Sequence, residues 1–250
     1  MLSIIIPAYN AGEALQRTVA EAIGTLQDID CPYEIIIVND GSTDDTFDRA
    51  LLLSRMGGNV KSVGYSENRG KGFALKYGFK FTSGELVLFL DADRDLPPAQ
   101  IPTVMAYMER NNSDIVIGSK RHPESKVQYP AVRRFLSKGY SLLIKLMFNL
   151  SVRDTQTGIK LFRREVLERV LPVCLVNRYA FDLELLASAK RMGYDICEAP
   201  VQLNFRFSSR IRPKDILVML WDTVFVFYRM RILPHYRKQC GGPVPARGKK

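Results

Sequence analysis

The sequence predicts an α/β protein built on a mostly parallel, Rossmann-like sheet flanked by helices. Apolar segments alternate with helical patterns through the first half of the 250-residue chain, and such alternation is typical of parallel sheets. The apolar segments are short, rich in isoleucine and valine, and mostly continuous, as strands buried on both faces are. Polar, turn-forming residues follow three of them, at the strand ends where sheets of this class bind ligands.

Five strands are expected before residue 120: Leu2–Ile6, Glu34–Val38, Val60–Gly64, Leu86–Leu90 and Ile115–Ile117. The helical patterns between them cover residues 13–27, 44–56, 70–82 and 98–111. Beyond residue 120 the expected elements are a helix near 131–149, a loop over 154–158, a helix near 180–192, a strand near 194–205 and an apolar stretch over 216–228. We therefore expect a domain over 1–210, membrane-associating helices over 211–238 and a disordered tail over 239–250.

The composition restricts the classes of function. A formal net charge of +10 indicates an anionic partner: phosphate, acidic lipid or nucleic acid. Four scattered cysteines, no CxxC pair and only two histidines argue against a zinc site and against a disulfide framework. The first seven residues have the pattern of a core strand rather than of a secretion signal, so we expect a cytosolic active face.

An acidic cluster follows the apolar segment that ends at Leu90. Asp91 and Asp93 are two residues apart, so on an extended chain their carboxylates point the same way and repel each other unless a cation lies between them. Hard oxygen ligands suit Mg²⁺ or Mn²⁺, and magnesium is commonly held by one or two carboxylates together with substrate phosphates. The alternative is a solvated acidic turn. The position at the end of a buried strand favours the metal.

Two further segments suggest contacts with a nucleotide. Asp40 ends another apolar segment, where an acidic side chain can accept hydrogen bonds from a base or ribose; the alternative is a turn followed by a helix cap. The sequence from Asn68 to Gly72 is a glycine-rich basic loop before a helix. The N–H groups at a helix N-terminus bind phosphate, and Lys71 adds charge.

Taken together, the motifs resemble the family 2 glycosyltransferases with the GT-A fold, and most closely the polyprenyl-phosphate (dolichyl-phosphate) mannose and glucose synthases. The resemblance runs from residue 2 to about residue 210, and the Phe181–Glu184 segment is more similar to the glucose-type branch. The matching stretches are Ser3–Asn10, Ile37–Thr46, Asn68–Gly72, Leu90–Asp93, Gly118–Arg121, Asp154–Phe162 and Phe181–Leu186.

The resemblance implies a role for each group of residues. It implies a nucleotide-sugar pocket, to which we assign Pro7, Ala8, Tyr9, Asn10, Val38, Asp40, Lys71, Gly72, Asp91, Ala92 and Asp93. It implies that Asp93 binds the metal, with Asp95 in the position of a second ligand. It implies an acceptor-phosphate site, to which we assign Lys120, Arg121, Arg133, Ser137, Arg206 and Arg210. The catalytic candidates are Asp91, Asp93, Lys120, Arg133 and Ser137. Asp154 and Asp182 are further candidates near the sugar, the alternatives being a loop turn and a helix-start residue.

The predicted helix at 131–149 supports a phosphate acceptor independently of the resemblance. Arg133 and Ser137 share a face, and the like charges of Arg134 and Lys138 destabilise a helix by a few tenths of a kcal/mol. A bound phosphate would offset that cost; the alternative is a solvated basic face. A lipid phosphate is already an anion, so it can attack the anomeric carbon without a strong general base, and one direct displacement inverts that centre.

The apolar stretch Ile216–Tyr228 is about 20 Å long as a helix, shorter than the roughly 30 Å hydrocarbon core of a bilayer. Asp222 near its centre also opposes spanning, and basic residues lie on both sides of it. We therefore expect an amphipathic helix in the plane of an anionic membrane surface, which makes the protein peripheral. The alternative is a helix buried in the core or in a homodimer interface.

Three functions compete. The first is transfer of a hexose from a UDP- or GDP-sugar to polyprenyl phosphate. The second keeps the fold but changes the acceptor to a glycan or a lipid-linked sugar. Transfer to a glycan usually needs a catalytic base, and no residue stands out as one in the sequence. The third is a non-catalytic basic protein that binds membrane or nucleic acid. It leaves the aspartates at 91, 93 and 95 unexplained, and no nucleic-acid motif is recognisable.

Overall fold

The computed structural model describes residues 1–93, 95–125, 139–140, 143–150, 152–178, 180–203, 213–232 and 236, and only the backbone of 213–219. Within these ranges the core is a seven-stranded sheet in the order β3-β2-β1-β4-β6-β5-β7. The strands are β1 (Leu2–Ala8), β2 (Tyr33–Asp40), β3 (Val60–Tyr65), β4 (Leu86–Leu90), β5 (Ile115–Ser119), β6 (Ile159–Arg163) and β7 (Ile196–Pro200). All five strands predicted before residue 120 are confirmed, and β7 is shorter than the predicted strand near 194–205.

The sheet is parallel except at β6. The parallel pairs are β1 with β2, β1 with β4, β2 with β3, and β5 with β7. Strand β6 runs antiparallel between β4 and β5. The predicted α/β class with a mostly parallel sheet is therefore confirmed. Because β1 lies between β2 and β4, the carboxyl ends of these three strands lie side by side, and this arrangement creates a crevice.

Strand β6 and the helix that follows it are absent from the sequence prediction. The segment carries Lys160 and Arg163, which interrupt its apolar character. Even so, Lys160 is almost completely buried, with 1% of its surface exposed. A buried lysine inside a short strand removes the continuous apolar signal on which a strand prediction depends.

The helices cover both faces of the sheet. They are α1 (Gly12–Asp28), α2 (Thr46–Met56), α3 (Lys71–Phe79), α4 (Ile101–Asn111), α5 (Arg164–Val170), α6 (Phe181–Arg191) and α7 (Pro213–Ile232). The predicted helix 44–56 begins only at Thr46, whose N–H donates to the Asp44 side chain at 3.0 Å. The predicted helix 98–111 begins as a short 3-10 turn, Pro98–Gln100. The predicted helix 131–149 is described over 139–140 and 143–149, and it is helical over 139–140 and 143–148.

Alternate residues of the central strands pack into two separate cores. Ile4 and Ile6 of β1 pack with α1 and α4, whereas Ile5 packs with the residues of α3, α5, α6 and α7 on the opposite face. All three isoleucines are 0% exposed. Burial of such a side chain stabilises the fold by about 1.5–3 kcal/mol, so burial on both faces explains why these strands are continuously apolar.

Helix α7 is docked along one face and exposed along the other. Thr223, Val226 and Met230 are buried, and the Tyr140 and Thr223 hydroxyl oxygens lie 2.9 Å apart. The Arg191 guanidinium on α6 donates to the Met230 carbonyl at 2.7 Å. The large apolar side chains on the exposed face are Trp221, Val224, Phe225, Tyr228 and Ile232. Among the described residues, no helix combines the length and hydropathy needed to cross a bilayer.

Candidate active site

The loops that follow β1 and β2 are joined by hydrogen bonds at the edge of the crevice. The Asn10 N–H donates to the Ser42 hydroxyl at 3.1 Å, and the Thr43 N–H donates to the Asn10 side-chain oxygen at 2.9 Å. Asn10 has a φ of 49°, a left-handed conformation that asparagine tolerates better than most residues. Tyr9 beside it is 48% exposed. This part of the predicted nucleotide pocket is therefore open, and its backbone is held in place.

Asp40 holds the loop that follows β3. Its carboxylate accepts hydrogen bonds from the Tyr65 hydroxyl at 2.7 Å, the Arg69 N–H at 2.8 Å and the Gly70 N–H at 3.0 Å. The Asn68 side chain adds another at 3.1 Å. These donors occupy about the four positions that a carboxylate offers. The predicted contact of Asp40 with a nucleotide stays a prediction, whereas its role in fixing this loop is visible.

The N-terminus of α3 is closed by the protein's own backbone. The Gly72 and Phe73 N–H groups donate to the Asn177 carbonyl at 2.9 and 3.3 Å. The N–H groups of residues 69, 70, 72 and 73 therefore have acceptors within the protein, and the predicted phosphate contact of this glycine-rich loop stays a prediction. A carbonyl from a distant loop supplies the acceptor instead, and it leaves no signal in the sequence.

Alternating charges extend from the end of β4 into the interior. The Lys71 ammonium lies 2.6 Å from an Asp91 carboxylate oxygen and 3.8 Å from one of Asp182. The other Asp182 oxygen lies 2.9 Å from the Lys160 ammonium. We call Asp91, Lys71, Asp182 and Lys160 the charge chain. It joins β4, α3, α6 and β6, so four separate elements of the fold are needed to assemble it.

The charge chain shifts the pKa values of its members. Burial alone would lower the pKa of Lys71, but the Asp91 and Asp182 carboxylates outweigh it and raise that pKa. Burial outweighs Asp182 at Lys160 and lowers the pKa of that lysine. Burial would raise the pKa of Asp182, but Lys160 and Lys71 outweigh it and lower that pKa. Lys71 and Asp182 therefore carry fixed, opposite charges near neutral pH.

Close packing fixes Asp91 from a second side. A Cβ atom added to Gly158 would lie 2.6 Å from the Asp91 carboxylate, which is closer than real contacts allow. The Asp91 N–H also donates to the Gly158 carbonyl at 2.9 Å. Only glycine leaves room for the carboxylate at this point, so the predicted loop over 154–158 helps to position the acidic cluster.

Asp93 is exposed in the crevice, and among the described residues no basic side chain forms an ion pair with it. Desolvation, followed by the charge of Asp91, raises the pKa of Asp93. One of its oxygens accepts the Asp95 N–H at 3.1 Å. An exposed carboxylate that forms no ion pair with a described basic side chain fits Mg²⁺ or Mn²⁺. The described residues contain no group of three histidine, cysteine or carboxylate side chains that could hold a metal ion.

The predicted acceptor residues are described in part. The Lys120 N–H donates to an Asp154 carboxylate oxygen at 3.3 Å, and the Arg121 guanidinium donates to the Arg153 carbonyl at 3.1 Å. Lys120 and Asp154 are thus neighbours at the end of β5. Four predicted residues lie outside the described residues: Arg133, Ser137, Arg206 and Arg210.

The structure adds two groups that the sequence prediction omitted. Lys160 lies in a stretch that carries the family resemblance, and a lysine in a segment that is otherwise apolar was the available signal for it. Asn177 acts through its backbone carbonyl, so its side chain gives no indication. The remaining residues assigned to the pocket, Pro7, Ala8, Val38 and Ala92, lie at the ends of β1, β2 and β4 as expected.

Comparison with known proteins identifies relatives over most of the chain. Residues 3–171 match the family model described as glycosyl transferase family 2. A dolichyl-phosphate beta-glucosyltransferase, ALG5A, of Trichomonas vaginalis is 34% identical over 240 residues, which cover 92% of this chain and 74% of that protein. The dolichyl-phosphate beta-glucosyltransferase of Mus musculus is 34% identical over 230 residues, which cover 85% of this chain and 70% of the mouse protein.

Solved structures share the fold at lower identity. Glucosyl-3-phosphoglycerate synthase from Mycobacterium tuberculosis, in complex with Mn²⁺, uridine diphosphate and phosphoglyceric acid, superposes with a TM-score of 0.67 at 22% identity. The alignment covers 99% of this chain and 80% of that one. Mannosyl-3-phosphoglycerate synthase from Rubrobacter xylanophilus gives a TM-score of 0.68 at 20% identity, covering 92% and 74%. These likenesses concern the fold alone.

Proposed function

The chain belongs to glycosyl transferase family 2, and from this premise we propose that it transfers glucose from a UDP-sugar to dolichyl or another polyprenyl phosphate. The reaction takes place at a membrane surface, on its cytosolic face. The relatives named above are dolichyl-phosphate beta-glucosyltransferases, which supports the sugar and the acceptor. The uridine nucleotide is supported by the complex of the Mycobacterium tuberculosis enzyme, whose fold this chain shares.

The donor site is the crevice at the ends of β1, β2 and β4. Tyr9 offers an exposed ring at its edge, and Asp40 holds the loop that leads to Lys71. The charge chain fixes Asp91 beside Asp93, so two carboxylates face the region where a diphosphate would lie. The exposed Asp93 beside the lysine-paired Asp91 carries the proposal, because Asp93 forms no ion pair with a described basic side chain and a metal-bound diphosphate would supply the positive charge.

Asp93 and Asp95 would hold a divalent cation, Mg²⁺ or Mn²⁺, through their carboxylate oxygens. Such an ion neutralises the charge of a departing nucleoside diphosphate. The protein's contribution is the orientation of these carboxylates: the Asp95 N–H restrains Asp93, and Gly158 and Lys71 restrain Asp91. Because the carboxylates are already held in place, little of the binding energy is used to order them.

The acceptor phosphate approaches from the side of β5. Lys120 lies there next to Asp154, and Arg121, Arg133, Ser137, Arg206 and Arg210 are proposed to complete a basic site around the phosphate. A phosphate oxygen attacks the anomeric carbon while the bond to the nucleoside diphosphate breaks, so the configuration inverts. The phosphate is ionised already, so the protein positions two anions and needs no strong base.

The exposed face of α7 supports the membrane location. Trp221, Phe225 and Tyr228 lie on it beside the basic side chains of Arg229 and Arg231, whose guanidinium groups stack on Phe225 and Phe227 at 4.9 and 5.4 Å. Aromatic residues next to cations suit the headgroup region of an anionic bilayer. With its other face docked on the enzyme, the helix would hold the crevice close to the lipid phosphate.

The test is transfer of radiolabelled glucose from UDP-glucose to a short polyprenyl phosphate with Mn²⁺ present, followed by extraction of the lipid product. GDP-mannose and UDP-glucose are compared as donors, and polyprenyl phosphate is compared with a glycan and with a lipid-linked sugar as acceptors. Label in polyprenyl-phosphate glucose supports the proposal. Transfer to the glycan or lipid-linked sugar alone contradicts the acceptor, and preference for GDP-mannose contradicts the donor.

A further inference from the structure

Tyr236 and Glu184 form a buried contact that the proposed chemistry does not use. Both side chains are 0% exposed, and the Tyr236 hydroxyl donates to one oxygen of the Glu184 carboxylate. The other oxygen accepts the Val176 N–H at 2.8 Å. A carboxylate buried this deeply needs donors on both oxygens, because an unsatisfied buried charge is costly. Glu184 therefore joins a C-terminal residue to the segment of residues 174–177, which we call the bridge segment.

The bridge segment is attached to α3 on its other side. The Asn177 carbonyl accepts the Gly72 and Phe73 N–H groups, which are in the first turn of α3. The Lys76 ammonium, one turn further along, donates to the carbonyls of Cys174 and Val176 at 3.2 and 3.4 Å. The bridge segment thus lies between α3 and Glu184, with hydrogen bonds on both sides.

The bridge segment contacts α3 closely at the first turn of the helix, whereas a cavity of about 500 Å³ separates the two further along the helix. A Cβ atom on Gly70 would lie 2.6 Å from the Asn177 carbonyl oxygen, and one on Gly72 would lie 2.5 Å from the Phe181 ring. Movement of the bridge segment at Asn177 must therefore displace the first turn of α3 or break the hydrogen bonds that join the two. That turn begins with Lys71, whose ammonium lies 2.6 Å from Asp91.

We propose that the contact between Tyr236 and Glu184 is a positioning contact, which holds the bridge segment against α3 and so sets Lys71 against Asp91 in the donor site. Tyr236 follows α7, which ends at Ile232. The contact therefore links the helix with the exposed aromatic face to the donor site. Only the link to nucleotide and membrane rests on the proposed function; the positioning of α3 does not depend on it.

The direct test is Tyr236→Phe, which removes only the hydroxyl, with amide hydrogen exchange measured at Gly72 and Phe73. The matched control is Tyr194→Phe. Tyr194 is 1% exposed in the same core, and its hydroxyl bonds Arg169 instead. Exchange at Gly72 and Phe73 should be about tenfold faster in Tyr236→Phe than in the control, the factor expected for loss of one hydrogen bond. Amides of α1, on the opposite face of the sheet, should exchange alike in both variants.

A second variant covers the case in which Tyr236→Phe does not fold. Glu184→Leu removes the buried charge along with both of its hydrogen bonds, and it should also speed exchange at the two amides. Glu184→Gln should keep them protected, because its carbonyl accepts the Val176 N–H while its amide donates to the Tyr236 oxygen. The positioning role is overturned if the exchange rates at Gly72 and Phe73 are the same in Tyr236→Phe and Tyr194→Phe. It is also overturned if they are the same in Glu184→Leu and Glu184→Gln.

The functional consequence is read from UDP affinity with Mn²⁺, at a temperature where the variants remain folded. Tyr236→Phe should weaken UDP binding several-fold, while Tyr194→Phe leaves it unchanged. Equal affinities in the two variants contradict the link to the donor site. If the unmodified protein binds no UDP, the proposed function fails, and the exchange measurements still decide whether Tyr236 positions α3.

Discussion

Replacement of Lys160 by methionine tests the charge chain most sharply. The lysine is 1% exposed, and its ammonium lies 2.9 Å from an Asp182 oxygen. Methionine fills much of the same volume, but among the described residues it leaves Lys71, at 3.8 Å, as the remaining cation paired with Asp182. Removing one partner of a buried ion pair costs about 3–5 kcal/mol. Because Lys71 remains, we expect the lower end, about 3 kcal/mol, which corresponds to a fall in Tm of about 6–12 °C for a chain of this size.

Thermal and urea unfolding would measure this loss, with Arg49→Met as the control. Arg49 pairs with Asp45 at 2.7 Å on the exposed surface, where such pairs contribute about 0–1 kcal/mol. Adding Asp182→Asn to Lys160→Met removes the uncompensated charge and should recover more than half of the lost stability. A loss below about 1 kcal/mol in Lys160→Met, or a double variant less stable than the single one, would refute the reasoning.

Three further predictions concern the site, the pH dependence and the membrane. Gly158→Ala places a Cβ 2.6 Å from the Asp91 carboxylate, so glucosyl transfer should fall at least tenfold while the protein stays folded. Hydrogen bonds and the charge of Lys61 outweigh desolvation at Glu34 and lower its pKa from 4.5 to about 2. The ionised carboxylate therefore stabilises the folded protein by about 2–3 kcal/mol, with allowance for screening. This contribution is present above pH 4.5 and is lost as the pH falls towards 2. Replacing Trp221 and Phe225 by serine should reduce co-sedimentation with anionic vesicles about tenfold or more.

Each of these predictions has its own control. The control for Gly158→Ala is Gly24→Ala, in α1, whose added methyl group has no atom within 4 Å and should leave transfer activity unchanged. Equal activity in the two variants would contradict the claim that a side chain at position 158 displaces Asp91. Glu34→Gln should flatten the difference in unfolding free energy between pH 5 and pH 2.5, and an unchanged slope excludes Glu34 as its source. The control for the membrane prediction is Met56→Ser, because Met56 lies on α2 and is 84% exposed. This substitution should leave vesicle binding unchanged. If it reduces binding as much as the replacement of Trp221 and Phe225 does, α7 is not a specific membrane-binding face.

The elements with simple periodicity could be predicted from the sequence. Strands β1, β2, β4 and β5 are largely apolar because both faces of the sheet are covered, and the polar residues that follow their apolar segments, Asp40 and Asp91 among them, predicted a crevice there. Strand β6 could not be predicted in this way. Its second residue, Lys160, is stabilised inside the protein by Asp182, which lies on a different element and is brought near only by the complete fold.

The sequence analysis proposed residues for the site but not the contacts between them. Asp91 and Lys71 were assigned separately to the nucleotide, whereas the structure pairs them with each other. Asp40 was assigned to a ligand, whereas its carboxylate accepts hydrogen bonds from the end of β3 and the loop that follows β3. Backbone groups such as the Asn177 carbonyl carry no information in the residue type, so a sequence cannot show which N–H groups remain free for a phosphate.

The most direct measurement is the binding of UDP by calorimetry, with and without Mn²⁺, for the unmodified protein and for Asp93→Asn. The substitution keeps the shape of the side chain and removes the charge proposed to hold the cation. Binding by the unmodified protein should tighten by at least tenfold when Mn²⁺ is added, and Asp93→Asn should lose most of that gain. The same gain in both proteins, or tight binding that ignores the metal, would contradict a donor site built on the carboxylate of Asp93.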